Sequence, residues 1–308
     1  MSVTTMRSKL ALLLLTMFAL IGLSMAIGAQ SSRNGRSIST NVSDDRAVTN
    51  CGDIRITYDR RPAITEEAEM MLPSSQVSNL RLQNEKGGVY INGWDRNEYS
   101  VRTCKAVPDD DPNPPATLRE ITTTNNTNGQ LAVNGPSGRE WVANLIIMVP
   151  RLSKMDIETQ NGPLQLRDLA GNIHLSATNG PISLRNVGGV VETTTTNGPI
   201  SLVGGSGDHR LTAANGPVHI SLSGSRWDGP GLEVSTKNGP LSLSIPDAYG
   251  SGIRIQASNH SPVNCKAPAC AGATKTLSSP SVIQIGNGDP IVRLSTLNGP
   301  LSIQAGKD

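Results

Sequence analysis

Hydrophobic and polar residues alternate on both sides of a recurring Asn-Gly-Pro triplet in the second half of this chain. Aliphatic residues stand at most positions four and six residues before the Asn, and at positions three and five residues after it. Leu175 and Ile173 precede Asn179 in this way, and Ile182 and Leu184 follow it. A period of two on both sides predicts strands with one buried face. Each repeat therefore predicts a strand, a corner, a second strand and a looser Gly-containing turn.

The corners are the structural residues that the sequence singles out. The first three steps between triplets are 18 residues long, and later steps lengthen. An altered copy occurs at Asn259, His260, Ser261 and Pro262, and an earlier one at Asn128-Gly129-Gln130. The intact corners are Asn161, Gly162, Pro163, Asn179, Gly180, Pro181, Asn197, Gly198, Pro199, Asn215, Gly216, Pro217, Asn238, Gly239, Pro240, Asn298, Gly299 and Pro300.

Two all-β architectures fit this order of elements. Asn-Gly between strands is typical of a tight hairpin turn, but that turn needs an N–H donor from the residue after Gly. That residue is Pro, which has no N–H. The pattern therefore predicts a single-stranded parallel β-helix, or β-solenoid, with coils of about 18 residues. Stacked antiparallel β-hairpins remain the alternative.

Two roles are open for the corner Asn. It has the same parity as the aliphatic positions before it, so a strand that continues to the corner would point its amide inward, where the amides could bond along the stack. Alternatively, Asn stands there because it tolerates a left-handed backbone.

The N-terminus has the layout of a secretory signal peptide. Arg7 and Lys9 precede a short apolar run, and small residues follow. We expect cleavage after Ala26, Gly28 or Ala29, with a permanent anchor helix as the alternative. We also expect no membrane-spanning segment afterwards, and export to the periplasm, the outer surface or the medium. The remaining boundaries are predicted as a disordered lead at residues 30–50, irregular β coils at 51–150, and regular repeats at 151–308 with an insertion at 263–280.

Net charge argues against one class of partner, and the cysteine count predicts covalent links within the chain. Loss of Arg7 and Lys9 with residues 1–29 leaves 25 basic and 25 acidic residues, so nucleic acid is not an expected partner. An even number of cysteines in an exported chain predicts two disulfides. We pair Cys51 with Cys104 and Cys265 with Cys270. Their spacing from each other and from the histidines does not indicate a metal site.

The segment from Gly88 to Arg96, the strand end at Val149-Pro150 and the Thr-Asn-Gly-Pro-Ile-Ser-Leu type repeats resemble the "putative adhesin" family of bacterial envelope domains. The resemblance covers residue 51 to the end of the chain. It implies a β-helix fold and an envelope context. It implies no established activity.

Candidate chemical sites are few. Asp109, Asp110 and Asp111 lack the alternation and the Gly of a calcium loop. Asp208-His209 near Ser206 has no nucleophile elbow around the serine. The outward acids in the repeats are scattered among Ser and Thr; they include Glu158, Glu192 and Glu233. We therefore predict no catalytic residue, no cofactor and no metal.

The outward strand faces carry the remaining signal. They are rich in Ser and Thr. These hydroxyl groups either bind a glycan, ice or a partner strand, or belong to ordinary solvent-exposed strand residues. Such positions are Ser176, Thr178, Thr194, Thr196 and Ser235 before the corners, and Gln165, Ser183, Ser201, His219, Ser242 and Ser302 after them.

The predicted function is a non-catalytic, adhesin-like or scaffolding envelope protein, with a glycan or an envelope protein as its partner. The alternatives are a polysaccharide-acting β-helix enzyme and a component of an envelope-stress sensor.

Overall fold

The chain is all-β in its computed structural model. The structure describes residues 29–33, 36–42, 46–126, 128–258, 261–276, 278, 280–286 and 290–306. The predicted signal peptide, apart from Ala29, and the altered-corner residues Asn259 and His260 lie outside the described residues. No helix in the described part of the chain is long and apolar enough to cross a membrane.

Strands account for most of the described residues. The N-terminal strands are β1 (Ala29–Arg33), β2 (Arg36–Asn41), β3 (Arg55–Tyr58), β4 (Arg61–Pro62), β5 (Ile64–Pro73), β6 (Leu80–Asn84), β7 (Val89–Trp94), β8 (Glu98–Val107), β9 (Thr122–Asn125), β10 (Gln130–Asn134) and β11 (Val142–Pro150). One α-helix, α1 (Pro114–Glu120), and short 3-10 turns at Cys51–Asp53, Ser74–Gln76 and Pro268–Cys270 complete the helical content of the described residues.

The repeat region forms the later strands. They are β12 (Leu152–Asn161), β13 (Leu164–Asn179), β14 (Ile182–Asn197), β15 (Ile200–Val203), β16 (Ser206–Asn215), β17 (Val218–Ser221), β18 (Gly231–Asn238), β19 (Leu241–Ile245), β20 (Ile253–Ala257), β21 (Val263–Cys265), β22 (Thr274–Thr276), β23 (Ser281–Ile285), β24 (Val292–Asn298) and β25 (Leu301–Ala305).

Successive repeats pair in parallel and in register. Asn161 lies opposite Asn179, and Asn179 lies opposite Asn197. On the other side of the corner, Leu164 lies opposite Ile182 and Ile182 opposite Ile200. Among the described residues, no antiparallel pairing joins the strands that flank one corner; where such strands do pair, as β12 with β13 and β13 with β14, they pair in parallel. The pairing is therefore not that of stacked antiparallel hairpins, and the strands β5 to β25 form one large mixed sheet.

The order of the repeats in space differs from their order along the chain. β24 lies between β18 and β20, and it is parallel to both. β25 likewise lies between β19 and β21. The last repeat in sequence is thus an interior layer. Strand β21 belongs to the layer beside it, so the predicted insertion at 263–280 begins within a paired strand rather than in a loop.

Residues 51–150 combine two kinds of pairing. β6 and β7 continue the parallel stack, because Leu80 pairs with Met155 and Val89 with Leu164. Outside them, β5, β8 and β11 form an antiparallel layer. Helix α1 covers one end of that layer, where Leu118 and Trp141 share a small apolar cluster.

The lead expected to be disordered at residues 30–50 instead contains β1 and β2. These strands pair with β3 and β4 in an antiparallel sheet. Ile38 and Val42 pack against a cluster that includes Ile56, Tyr58 and Tyr90. The polar composition of residues 30–50 did not indicate this sheet, because the apolar surface against which they pack comes from residues distant in sequence. The Cys51–Cys104 bond fastens the small sheet to β8, and Cys265–Cys270 closes the turn after β21; these are the pairs predicted from the sequence.

The main core is a stack of aliphatic layers between the two strand faces. All aliphatic residues predicted at the four and six positions before the corners are buried, as are the small residues two positions before them. Thr193 and His209 occupy two such buried positions without being aliphatic. Burial of repeated layers against one another supplies the hydrophobic stabilisation that no single repeat could provide alone.

Candidate functional site

The corner Asn residues form a hydrogen-bonded ladder on the outside of the stack. Each amide nitrogen donates to the amide oxygen of the preceding layer, over distances from 2.9 to 3.2 Å. The residues joined are Asn161, Asn179, Asn197, Asn215, Asn238 and Asn298. Asn161 in turn donates to the backbone oxygen of Glu85 at 3.3 Å.

Neither predicted role of the corner Asn is correct as stated. The amides do bond along the stack, but Asn179, Asn197, Asn215, Asn238 and Asn298 are exposed rather than inward. None of the ladder residues has a positive φ. The strand pairing skips the residue just before each Asn, so the alternation of inward and outward side chains is interrupted there.

The corner Gly is required by close packing of backbones. A Cβ on Gly198 would overlap the carbonyl oxygen of Gly180, and a Cβ on Gly180 would overlap that of Gly162. Gly239 and Gly299 meet the same obstacle from the layers beneath them. Only Gly allows the layers to approach this closely.

The corner Pro fits because no hydrogen bond needs its nitrogen. The Gly198 N–H donates to the Asn215 oxygen at 3.1 Å, and the Ile200 N–H donates to the Pro217 oxygen at 3.0 Å. The ladder therefore passes over the proline nitrogen, and the proline carbonyls still accept bonds. This explains at atomic level why Asn-Gly-Pro does not form a hairpin here.

An outward column of charged residues crosses the strands that precede the corners. We call it the charge column. Its members are exposed and pair in register, in the order Arg81, Asp156, His174, Glu192, Arg210, Glu233, Arg293 and Arg254. Acidic residues alternate with arginine or histidine until the last two positions, where two arginines are adjacent.

Two side-chain contacts link neighbouring members of the charge column. Arg210 Nη2 forms an ion pair with Glu233 at 3.1 Å, and His174 Nδ1 lies 3.5 Å from a Glu192 carboxylate oxygen. Both pairs are exposed to solvent, so they contribute little to stability. Their main consequence is a surface on which opposite charges are fixed at the spacing of neighbouring strands.

Two residues further along each strand lies the hydroxyl column. Its members pair in register as Gln83, Glu158, Ser176, Thr194, Thr212, Ser235, Ser295 and Gln256. Gln83 donates to Glu158 at 2.9 Å, and Ser235 donates to Thr212 at 3.3 Å. Of the outward residues predicted before the corners, Ser176, Thr194 and Ser235 lie in this row, whereas Thr178 and Thr196 are exposed but lie outside it.

The residues after the corners form a separate outward row. Gln165, Ser183, Ser201, His219, Ser242 and Ser302 pair successively in register. His219 Nδ1 lies 2.6 Å from the Ser242 hydroxyl, and partial burial lowers the pKa of that imidazole. Gln165 is buried although it occupies an outward position, whereas Ser183, Ser201, His219, Ser242 and Ser302 are half-buried.

The structure separates the residues of the imagined hydrolytic group. Asp208 is exposed on one face of β16, whereas His209 is fully buried on the other. The His209 ring packs edge-on against Trp227, with centroids 5.1 Å apart. Burial lowers the pKa of His209 to about 4, so the ring is neutral in the folded protein near neutral pH.

The three aspartates at residues 109–111 form salt bridges with arginines of the same chain. Arg61 lies 3.2 Å from Asp109 and 3.1 Å from Asp110, and Arg139 lies 3.4 Å from Asp111. Asp111 also accepts hydrogen bonds from the backbone of Asn113 and from the Thr117 hydroxyl. The run thus fastens the start of α1. No cluster of three or more His, Cys, Asp or Glu residues suited to a metal occurs in the described ranges.

Two adjoining clefts near β10 and β12 were not anticipated from the sequence. Their volumes are about 310 and 620 Å³, and Lys86 and Trp141 line both. The Lys86 ammonium lies 4.3 Å above the Trp141 ring, and Gly135 packs against that ring. Asp156 and Glu158 line the larger cleft. Trp141 is one of few aromatic residues in the chain, so the sequence could have singled it out as a binding residue. The cleft around it could not be predicted, because its lining residues come from segments far apart in sequence.

Comparison with known proteins yields distant structural likenesses. No family model matches the chain, and no curated protein matches it. A "putative cell adhesion protein" from Clostridium sporogenes is 12% identical, with 79% of this chain and 100% of that chain covered at a TM-score of 0.32.

Two further solved structures show similar values. A "putative adhesin" from Bacteroides fragilis is 8% identical over 78% of this chain and 97% of its own, at a TM-score of 0.37. A "putative lipid binding protein" from Parabacteroides distasonis is 10% identical over 79% and 97%, also at 0.37. These scores are too low to assign a family or a ligand to this chain.

Proposed function

We propose that this chain is a non-catalytic, exported envelope protein that presents polar strand faces to a glycan or to an envelope protein. The observation that carries the proposal is the register of the outward side chains. The charge column and the hydroxyl column run side by side across successive repeats, so their groups are displayed at regular spacing on one face. A rigid, repetitive polar face suits an extended ligand that has its own repeat.

We also infer that residues 151–308 wind as a single-stranded β-solenoid. In-register parallel pairing of the corner residues supports this path, as does burial of aliphatic residues in both strands of each repeat. In such a path each coil contributes one strand to each face. The outward columns are then a direct product of the repeat, and their length depends on the number of coils.

The chemistry of the surface favours binding over catalysis. In the described residues, the sequence-derived candidates do not converge: His209 is buried away from Asp208, and Asp109, Asp110 and Asp111 are held by arginines. General acid–base catalysis requires two such groups aimed at one substrate bond. The two disulfides are consistent with an extracellular or envelope location.

A polysaccharide-acting enzyme is the competing function, because Asp156 and Glu158 line the larger cleft on the same face of β12. Binding of the mature protein to a glycan array, measured beside release of reducing ends from the bound glycans, separates the two functions. The proposal expects binding without release. Release of reducing ends that Asp156→Asn or Glu158→Gln abolishes would contradict the proposal and select the enzyme.

A further inference from the structure

The charge column loses its alternation at the C-terminal end of the stack. Arg293 and Arg254 lie directly opposite each other on adjacent parallel strands, β24 and β20. Both side chains are exposed. The nearest acidic member of the column, Glu233, is paired with Arg210 on its far side at 3.1 Å. Two guanidinium groups thus share one stretch of surface with a carboxylate that already has a partner.

Two like charges held side by side on neighbouring strands repel each other, and an anion placed between them would remove that repulsion. Neighbouring strands are about 4.8 Å apart, so the two arginine side chains leave the surface side by side. Such a pair is well suited to bind an anionic group, because each guanidinium can donate two parallel hydrogen bonds to a carboxylate or a sulfate.

The surroundings of the two arginines are neutral and hydrogen-bonding. Ser295 and Gln256 follow them by two residues on the same strands and face the same way. Gln284, on the antiparallel strand β23, lies opposite Arg254. We call these five residues the arginine patch. Hydroxyl and amide groups beside guanidinium groups match the hydroxyl and acidic groups of a charged sugar.

We propose that the arginine patch binds an acidic glycan, with carboxylate or sulfate groups of the sugar chain on Arg254 and Arg293 and sugar hydroxyls on Ser295, Gln256 and Gln284. The inference rests on the proposed function, since it names the ligand class of the same strand face. A nucleic acid fits less well, because a chain with 25 acidic and 25 basic residues after residue 29 has no extended excess of positive charge.

The test is binding of the mature, disulfide-intact protein to polygalacturonate, with its fully methyl-esterified form as the uncharged counterpart. The wild type should bind the acid form, and its affinity should fall as salt is raised. Arg254→Gln with Arg293→Gln should weaken binding at least about tenfold, as expected for the loss of charge-assisted hydrogen bonds. Arg254→Lys with Arg293→Lys should keep part of the affinity, because the charge remains but the paired donors do not.

The matched control is Arg55→Gln with Arg119→Gln. It removes the same charge from exposed positions that belong to neither outward column. The control should bind as the wild type does, and all variants should keep the wild-type denaturation midpoint. Equal weakening by both double variants would overturn the patch, because it would show a net-charge effect.

Other outcomes separate this inference from the proposed function. Equal binding of acid and esterified forms, unchanged by Arg254→Gln with Arg293→Gln, would overturn the patch and leave glycan binding intact. Binding to anionic vesicles or to single-stranded DNA as tight as to polygalacturonate would also overturn it, since the patch would then not be specific for a sugar. Absence of binding to any glycan on the array would reject the proposed glycan ligand itself.

Discussion

Thr193 interrupts a buried column of aliphatic side chains. It lies between Leu175 and Leu211 in the stack, is fully buried, and its hydroxyl has no hydrogen-bond partner in the structure. A buried hydroxyl without a partner costs free energy that a methyl group of the same shape does not. We expect Thr193→Val to raise the free energy of unfolding by about 1 kcal/mol.

Urea denaturation measures this change, and Thr196→Val is the matched control because Thr196 is exposed in the same repeat. The control should change the free energy of unfolding by less than about 0.5 kcal/mol. Destabilisation by Thr193→Val would show that the hydroxyl is satisfied, and the packing of this layer would need to be redrawn.

His209 makes stability depend on pH. Its pKa is lowered to about 4 by burial, whereas the unfolded chain has an ordinary imidazole with a pKa near 6.5. As pH falls from about 6.5 to about 4, the unfolded state takes up a proton that the folded state does not, so stability declines. The free energy of unfolding is therefore larger above pH 6.5 than below pH 4, and this one group accounts for a difference of about 3 kcal/mol.

Denaturation midpoints of the wild type and of His209→Leu at pH 7.5 and pH 4.5 test this link. The wild type should lose more stability than the variant on acidification. The comparison within each protein removes the effect of the substitution on packing against Trp227. An equal loss in both proteins would show that other groups carry the acid sensitivity.

The corner is the element in which sequence and structure can be compared most closely. Alternation predicted the strands and their buried positions, and the missing N–H of Pro predicted that the corner is not a hairpin. The outward direction of the Asn amides could not be predicted, because it depends on where the chain leaves the strand. The need for Gly at position 198 could not be read from the sequence either, because it comes from the carbonyl oxygen of the neighbouring layer and not from a left-handed φ.

The two corner residues should therefore differ in their effects on stability. Gly198→Ala should cost more than about 2 kcal/mol, because its Cβ would overlap the Gly180 carbonyl oxygen and the layers would have to separate. Asn197→Leu should cost only about 0.5–1.5 kcal/mol, because its amide bonds are exposed and water can replace them. Guanidinium denaturation of both variants gives the comparison.

A neutral Gly198→Ala would contradict the close approach of the layers. A cost for Asn197→Leu equal to that of Gly198→Ala would show that the Asn ladder is as essential as the backbone fit. In that case the exposed ladder would be a principal source of stability rather than a supplement to the packed core.

The last repeat in sequence is an interior layer of the molecule, although chain order alone would place it at an end of the stack. As the final copy, Asn298 would have a neighbour on one side only. In the structure β24 and β25 lie between two layers, and Gly299 donates its N–H to the Ser261 hydroxyl at 3.1 Å. Chain order could not predict this, because the segment between β19 and β24 is long enough to form an outer layer and to return.

Gly299→Ala should accordingly be as harmful as Gly198→Ala. Its Cβ would overlap the Gly239 carbonyl oxygen, and its layer has neighbours on both sides. Equal losses in denaturation midpoint would support the interior position. A markedly smaller loss for Gly299→Ala would place the last repeat at an end of the stack.

Parallel stacking of the repeats, with one strand of each repeat on each face, fixes the distance between exposed positions of the charge column. Spin labels at His174→Cys and Arg293→Cys measure that distance by pulsed electron paramagnetic resonance, since both positions are exposed and four register steps apart. We predict a backbone separation of about 19 Å, from four strand spacings of about 4.8 Å. Stacked hairpins would place two strands per repeat in the sheet, so a separation near 38 Å would contradict parallel stacking.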